Sequence, residues 1–203
     1  MSGLREQKKR ATRTALSWAA IRLTVERGFD NVLVDDIAAA AGVSPRTFNN
    51  YFSSKGEAIV ARQVDRYLLV ADELRRRPAR EPLWQAIRHA VSAQLEPGPE
   101  VVEHPVPDRD QWVAGIRLMV AEPAIQAEFL RTGALAQAGF AAAVAERTGT
   151  DPERDLYPQL VAATVLAASN VVTQVWLNAD PPVPLDRLLT EALDQLAAGL
   201  PTP

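Results

Sequence analysis

The chain has 203 residues, 47% of them apolar and 23% charged, with no cysteine and a net charge of −3. This is the balance of a globular protein long enough to bury a core, and it excludes a disordered polymer, a disulfide framework, a thiolate metal site and a cysteine nucleophile. The N-terminal residues are charged rather than apolar, and the most apolar run, Leu160 to Leu177, is interrupted by Thr164, Ser169, Asn170, Thr173 and Gln174, so a cytoplasmic protein without membrane association is expected.

Only one of the 15 prolines precedes residue 78, and the others cut the remainder into helix-length pieces rich in Ala, Leu, Arg, Glu and Gln. Val32-Leu33-Val34 is the nearest approach to a strand and is too short, so the expected class is all-α. A first helix is expected from Arg5 to Arg27, stopped by Gly28, with Phe29 returning to the core. Val34 to Ala41 is a short second helix broken by Gly42. The third opens at Ser44-Pro45, with Ser capping and Pro at the first helical position, and turns Phe48 and Phe52 inward. A fourth starts at Ser54, with Glu57 three residues on as a capping box, and runs to Arg77. Further helices are expected over 82–96, 108–122, 123–147, 155–179 and 185–200, with a Pro/Gly/Glu-rich loop, a candidate for disorder, over 97–107.

The second and third helices, joined by a tight turn at Gly42, have the spacing of a helix-turn-helix. Alanines let them approach, Val43 plugs the space between them, and Ser44 leaves the positive end of the third helix where a phosphate can sit. Around the apolar stripe lie Arg46, Thr47, Asn49, Asn50 and Tyr51, groups able to bond base edges and phosphates. Charge points the same way. Residues 1–56 carry nine Lys/Arg against five Asp/Glu, whereas the remainder carries thirteen against twenty, a basic head on an acidic body.

The string Gly28-Phe29, then Val34-Asp35-Asp36-Ile37-Ala38-x-x-Ala41-Gly42-Val43-Ser44-x-x-Thr47-Phe48-x-x-Tyr51-Phe52-x-x-Lys55, closely resembles the N-terminal domain of TetR-family repressors. The resemblance spans Leu4 to Val60 and implies a three-helix DNA-binding domain over 1–56, followed by a larger helical domain over 57–203 that binds an effector and pairs subunits, with helix 54–77 linking the two. It implies that Thr47 touches backbone or a base, that Tyr51 and Lys55 contact phosphate, and that the turn around Leu33 to Asp35, Val34 included, adds a backbone contact, with the tail at Lys8 to Arg13 reaching another groove or strand. Ser44 and Pro45 open the reading helix, and Arg46, able to bond guanine bidentately, is expected to read bases. Two departures stand out: Asn49 replaces the family's usual Tyr, and Thr24 occupies the region of a usual aromatic, with Trp18 six residues before it.

For the second domain, apolar stripes nominate the dimer interface: Val165, Val172 and Trp176 on one long helix, Leu189, Leu193 and Leu196 on the next. The same stripes must also serve the chain's own core. An effector cavity is expected among Trp84, Trp112, Met119 and Phe140, with Asn170, Thr173 and Gln174 as polar groups inside an apolar helix in need of partners. The expected partners are therefore a double-stranded operator, a small-molecule effector and a second copy. His89 and His104 lack further ligands at helical spacing, so neither a metal nor another cofactor is expected. A catalytic reading finds no Gly-rich phosphate loop and no nucleophile elbow. The remaining alternative is a helical interaction protein that keeps the fold without binding DNA.

Overall fold

The computed structural model describes residues 2–95, 102, 108–180 and 182–202. These contain nine α-helices, one 3-10 turn and no strand: α1 (Ser2–Arg27), the turn Phe29–Asn31, α2 (Val34–Ala40), α3 (Pro45–Asn49), α4 (Lys55–Arg76), α5 (Leu83–Ser92), α6 (Arg109–Ala121), α7 (Pro123–Thr148), α8 (Leu156–Asn178) and α9 (Leu185–Ala197). The expectation of a loop over 97–107 falls almost wholly outside the described residues.

Two compact units divide the chain. The first comprises residues 1–64 and 97–132, and the second 65–96 and 133–203. In the first, Leu16, Leu23, Ile37, Phe48, Phe52 and Ile125 form a closed apolar core. Each such side chain contributes about 1.5–3 kcal/mol by leaving water. Helix α6 joins this core tightly. Trp112 meets Trp18 of α1 with ring centroids 5.4 Å apart, and the space for a Cβ at Gly115 is already taken by Val25, whose Cγ1 would lie 2.5 Å away and whose carbonyl oxygen 2.9 Å away. A backbone oxygen cannot yield as a side chain can, so Gly115→Ala must push α6 off α1. We expect a loss of about 1–3 kcal/mol, read as a lowered urea midpoint at unchanged m-value. A midpoint equal to the parent's would show that α6 is not seated on α1 as described.

The second unit packs Leu74, Ile87, Phe140, Val144, Val165 and Leu193 into its own core. Its polar frame centres on the link between α4 and α5. Arg147 of α7 donates to the carbonyl oxygens of Arg77 (3.2 Å), Pro78 (2.5 Å) and Glu81 (2.6 Å) where α4 ends, and Pro78 O also accepts the Glu81 amide at 3.0 Å. Glu81 accepts two bonds of 2.8 Å from Arg77, and its Oε1 lies 2.6 Å from His89 Nδ1. The Arg77 guanidinium, helped by His89 and opposed by desolvation, holds the Glu81 carboxyl down from 4.5 to about 2.

Because this folded value is depressed, the stabilisation is complete above the unfolded pKa and is lost as pH falls through the folded one. Unfolding titrations should therefore show a decline between pH 4.5 and about 2 that is smaller in Glu81→Gln, which lacks the carboxylate at every pH. Parallel declines in the two proteins would remove Glu81 as the cause.

Candidate nucleic-acid interface

Helix α2 ends in a Schellman motif. The Val43 amide donates to Ala38 O at 2.9 Å and the Gly42 amide to Ala39 O at 3.0 Å, with Gly42 at φ +69°, a value that suits glycine. The start of α2 is closed by Asp36, whose carboxylate accepts the Leu33 amide at 2.9 Å. Two residues after the glycine turn, Ser44 caps α3: its Oγ accepts the Thr47 amide at 3.1 Å and stands 2.9 Å from the Thr47 hydroxyl. Pro45 follows at the first helical position.

With Phe48 of α3 and Phe52 just beyond it buried, the polar edge of α3 lies toward solvent. Arg46, Asn49 and Asn50 are exposed, as are Ser44 and Pro45, while Thr47 and Tyr51 are half-buried and Tyr51 leans on the core. Val34 is half-buried and also packs inward, which leaves Leu33, exposed beside it, at the rim of the turn. Among the described residues the Arg46 side chain forms no hydrogen bond or ion pair, so its guanidinium is available for a polyanion.

Two basic residues are placed differently from the expectation. Lys55 donates to Phe29 O at 2.6 Å and Val32 O at 3.0 Å, and its ammonium lies 4.1 Å from the Phe29 ring centroid. It ties the start of α4 to the turn after α1, and a phosphate contact at Lys55 competes with both carbonyls. Arg13, from the basic stretch of α1, stacks over Phe52 at 4.7 Å and so supports the recognition helix from behind. Sequence reading missed that role because a cation–π contact across 39 positions leaves no local pattern.

The comparisons with known proteins address both halves of the chain. The profile of bacterial regulatory proteins of the tetR family matches residues 18–61, and that of the MftR C-terminal domain matches residues 81–201. The HTH-type transcriptional regulator TcmR of Streptomyces glaucescens is 34% identical over 202 residues, covering 98% of this chain and 88% of that one. The chain belongs to the TetR family of bacterial regulatory proteins. It is a helix-turn-helix transcriptional regulator. MftR of Mycobacterium tuberculosis is 33% identical over 187 residues, 91% of this chain and 89% of the other. In fold, the TetR-family FadR of Thermus thermophilus, solved in complex with lauroyl-CoA, superposes with a TM-score of 0.54 at 20% identity, covering 94% of this chain and 96% of that one.

Within this TetR-family chain, the seven residues expected around an effector cavity are divided between the two units. Trp112 and Met119 belong to the core of the first unit, whereas Trp84 and Phe140 belong to that of the second. On α8, Thr173 is half-buried and donates to Ser169 O at 2.8 Å within its own helix, while Asn170 and Gln174 are exposed. Of the residues expected at a dimer interface, four lie in the core of the second unit. Val165, Val172, Leu189 and Leu193 are 2%, 5%, 8% and 4% exposed within the single chain, so its own core already uses them, and Trp176 and Leu196 are half-buried. The opposite face of α8 carries Leu156, Leu160, Val171 and Val175, exposed by 71%, 53%, 61% and 48%. Asn170 and Gln174 lie on that outer face as well. No charged residue occurs between Leu156 and Asn178.

Proposed function

We propose that the chain is a repressor that binds a palindromic operator as a homodimer and releases it when a small organic effector occupies the second unit. The observation that carries the DNA half of this reading is the solvent-facing edge of α3, where the Arg46 side chain, unpaired among the described residues, stands with Asn49 and Asn50 beyond a sealed core. An arginine so placed forms the bidentate contact to guanine, and the asparagines suit adenine. Thr47 and Tyr51 flank this edge as phosphate contacts, and the capped N-terminus at Ser44 and Pro45 favours an anion.

Two such helices read a palindrome only if the chain pairs with itself, and the uncharged outer face of α8 supports that pairing. Apolar residues at 156, 160, 171 and 175 recur on one side of the helix, two apolar patches with Thr164 between them that water solvates poorly. Asn170 and Gln174 supply hydrogen-bonding groups at its margin. A two-fold axis would set this strip against its own copy, the self-complementary geometry of a symmetric dimer.

For the effector, the Tyr67 hydroxyl on α4 offers a polar anchor: it is buried and has no hydrogen-bond partner among the described residues. A buried hydroxyl without a partner is unfavourable, and a ligand acceptor would satisfy it. That FadR, of the same fold, is seen with lauroyl-CoA supports a small-molecule effector for the architecture. Release follows if the effector binds better to a conformation in which the two recognition helices are wrongly spaced, with a coupling of about 1–3 kcal/mol. Fluorescence anisotropy of a labelled operator, with and without a saturating candidate molecule, tests this. Identical affinities across a broad panel of candidates would argue for a regulator that does not respond to ligand.

A further inference from the structure

We propose that Glu128 of α7 is a positioning residue for operator binding, because it latches the turn that follows the recognition helix. The proposal rests on the reading of α3 as the helix that contacts DNA. After α3, the chain passes through Tyr51 and Phe52 to Ser53 and Ser54, and these two serines are held by carboxylates rather than by backbone alone. Glu57 Oε2 accepts from the Ser53 amide at 2.8 Å and from its hydroxyl at 2.6 Å. Ser54 Oγ accepts the Glu57 amide at 2.9 Å and donates to Glu128 Oε1 at 3.1 Å, 74 positions away.

The carboxylate that receives Ser54 is itself fixed. Arg131 Nε donates to Glu128 Oε2 at 2.7 Å, and its Nη2 lies 3.9 Å from Glu57 Oε2, which closes a ring of Ser54, Glu128, Arg131 and Glu57 across α4 and α7, its last link being the Glu57 backbone amide on Ser54 Oγ. Burial pushes the Glu57 carboxyl up, but the Ser53 bonds, Arg131 and Arg13 outweigh it and hold the group below its ordinary value. Backbone contact backs the polar ring. A Cβ at Gly56 would stand 3.2 Å from Glu128 Cγ and 3.8 Å from Ala124 O, and Ile125, one helical turn before Glu128, is fully buried in the first unit's core.

The position of this ring has a consequence for signalling. Helix α7 begins in the first unit and continues beyond residue 132 into the second, where the proposed effector site lies. A shift or rotation of α7 therefore arrives at Glu128, and from there at the serines adjoining α3. Partly exposed ion pairs add little to stability, so the latch should be visible in DNA binding rather than in unfolding.

The test is a double-mutant cycle of Arg46→Ala and Glu128→Ala, read as affinity for the selected operator and for a version changed at the base pair Arg46 reads, with the melting temperature and oligomeric state of each protein recorded. Glu128→Ala is expected to weaken operator binding about tenfold, and to reduce the discrimination that depends on Arg46, so that the two substitutions are not additive. Glu128→Gln, which keeps an acceptor for Ser54 but loses the charge on Arg131, should fall between the parent and Glu128→Ala. Affinity within twofold of the parent, additive effects, or a lowered melting temperature with normal operator binding would each overturn the latch. A parent protein that selects no operator would instead overturn the DNA-binding reading, and the latch with it.

Discussion

Aspartate at both Leu160 and Val171 is expected to leave the chain folded but monomeric, and to weaken operator binding by about 10²–10⁴-fold, the advantage that linking two half-site contacts gives. Both side chains are exposed on α8, so neither substitution opens a cavity or buries a charge within the chain. Across a two-fold axis, however, each new carboxylate meets a partner strip with no cation anywhere between residues 156 and 178. Desolvating such a charge without a counter-ion is strongly unfavourable. Sedimentation should give a dimer for the parent and a monomer for the double variant, with unchanged helical circular dichroism. The same double substitution would leave a dimer intact if pairing used another surface, and the outer face of α8 would then need a different explanation.

The second large effect belongs to Arg46. Removing its side chain should weaken specific binding by about 1–3 kcal/mol and relax the preference at one base position in each half-site, while binding to unrelated DNA changes much less. The separation of these two readouts matters, because a phosphate-binding arginine would lower affinity uniformly across sequences and flatten the salt dependence instead. Arg46 is suited to the first role by where it sits: one residue past Pro45 on the exposed edge of α3, and unpaired among the described residues. A variant with unaltered base preference but reduced overall affinity would move sequence reading to Asn49 or Asn50.

Local chemistry made most of the fold legible. Gly28 and Gly42 stop helices, Ser44-Pro45 starts one, and Pro123 opens another, so the helix limits read from sequence lie within a few residues of those observed. The polar edge of α3 was legible for the same reason, since burying Phe48 turns Arg46, Asn49 and Asn50 toward solvent. On α8 the pattern failed to discriminate. That helix is apolar on nearly every side, and periodicity picks out an apolar face without saying whether the chain's own core or a second copy covers it. Val165 and Val172 turned out to face inward, Leu160 and Val171 outward.

Long-range docking left even less trace. Nothing local to Gly115 announces that Val25 will press against it across 90 positions, and Glu128 sits in an ordinary helical stretch with no sign that Ser54 is its partner. Lys55 illustrates the converse. Its place in the family motif suggests a phosphate contact, yet three-dimensional proximity to the Phe29 and Val32 carbonyls gives it a bracing role that the motif alone does not reveal.

Reading of DNA by a dimer through α3 is put to the test by selecting bound duplexes from a random pool with the purified protein and repeating the binding across a salt series. It predicts a pseudo-palindrome whose half-sites are separated by about one helical turn or a multiple of it, with affinity falling steeply and linearly in log salt. A pool that stays random after repeated selection, with only weak and sequence-independent binding, would contradict it.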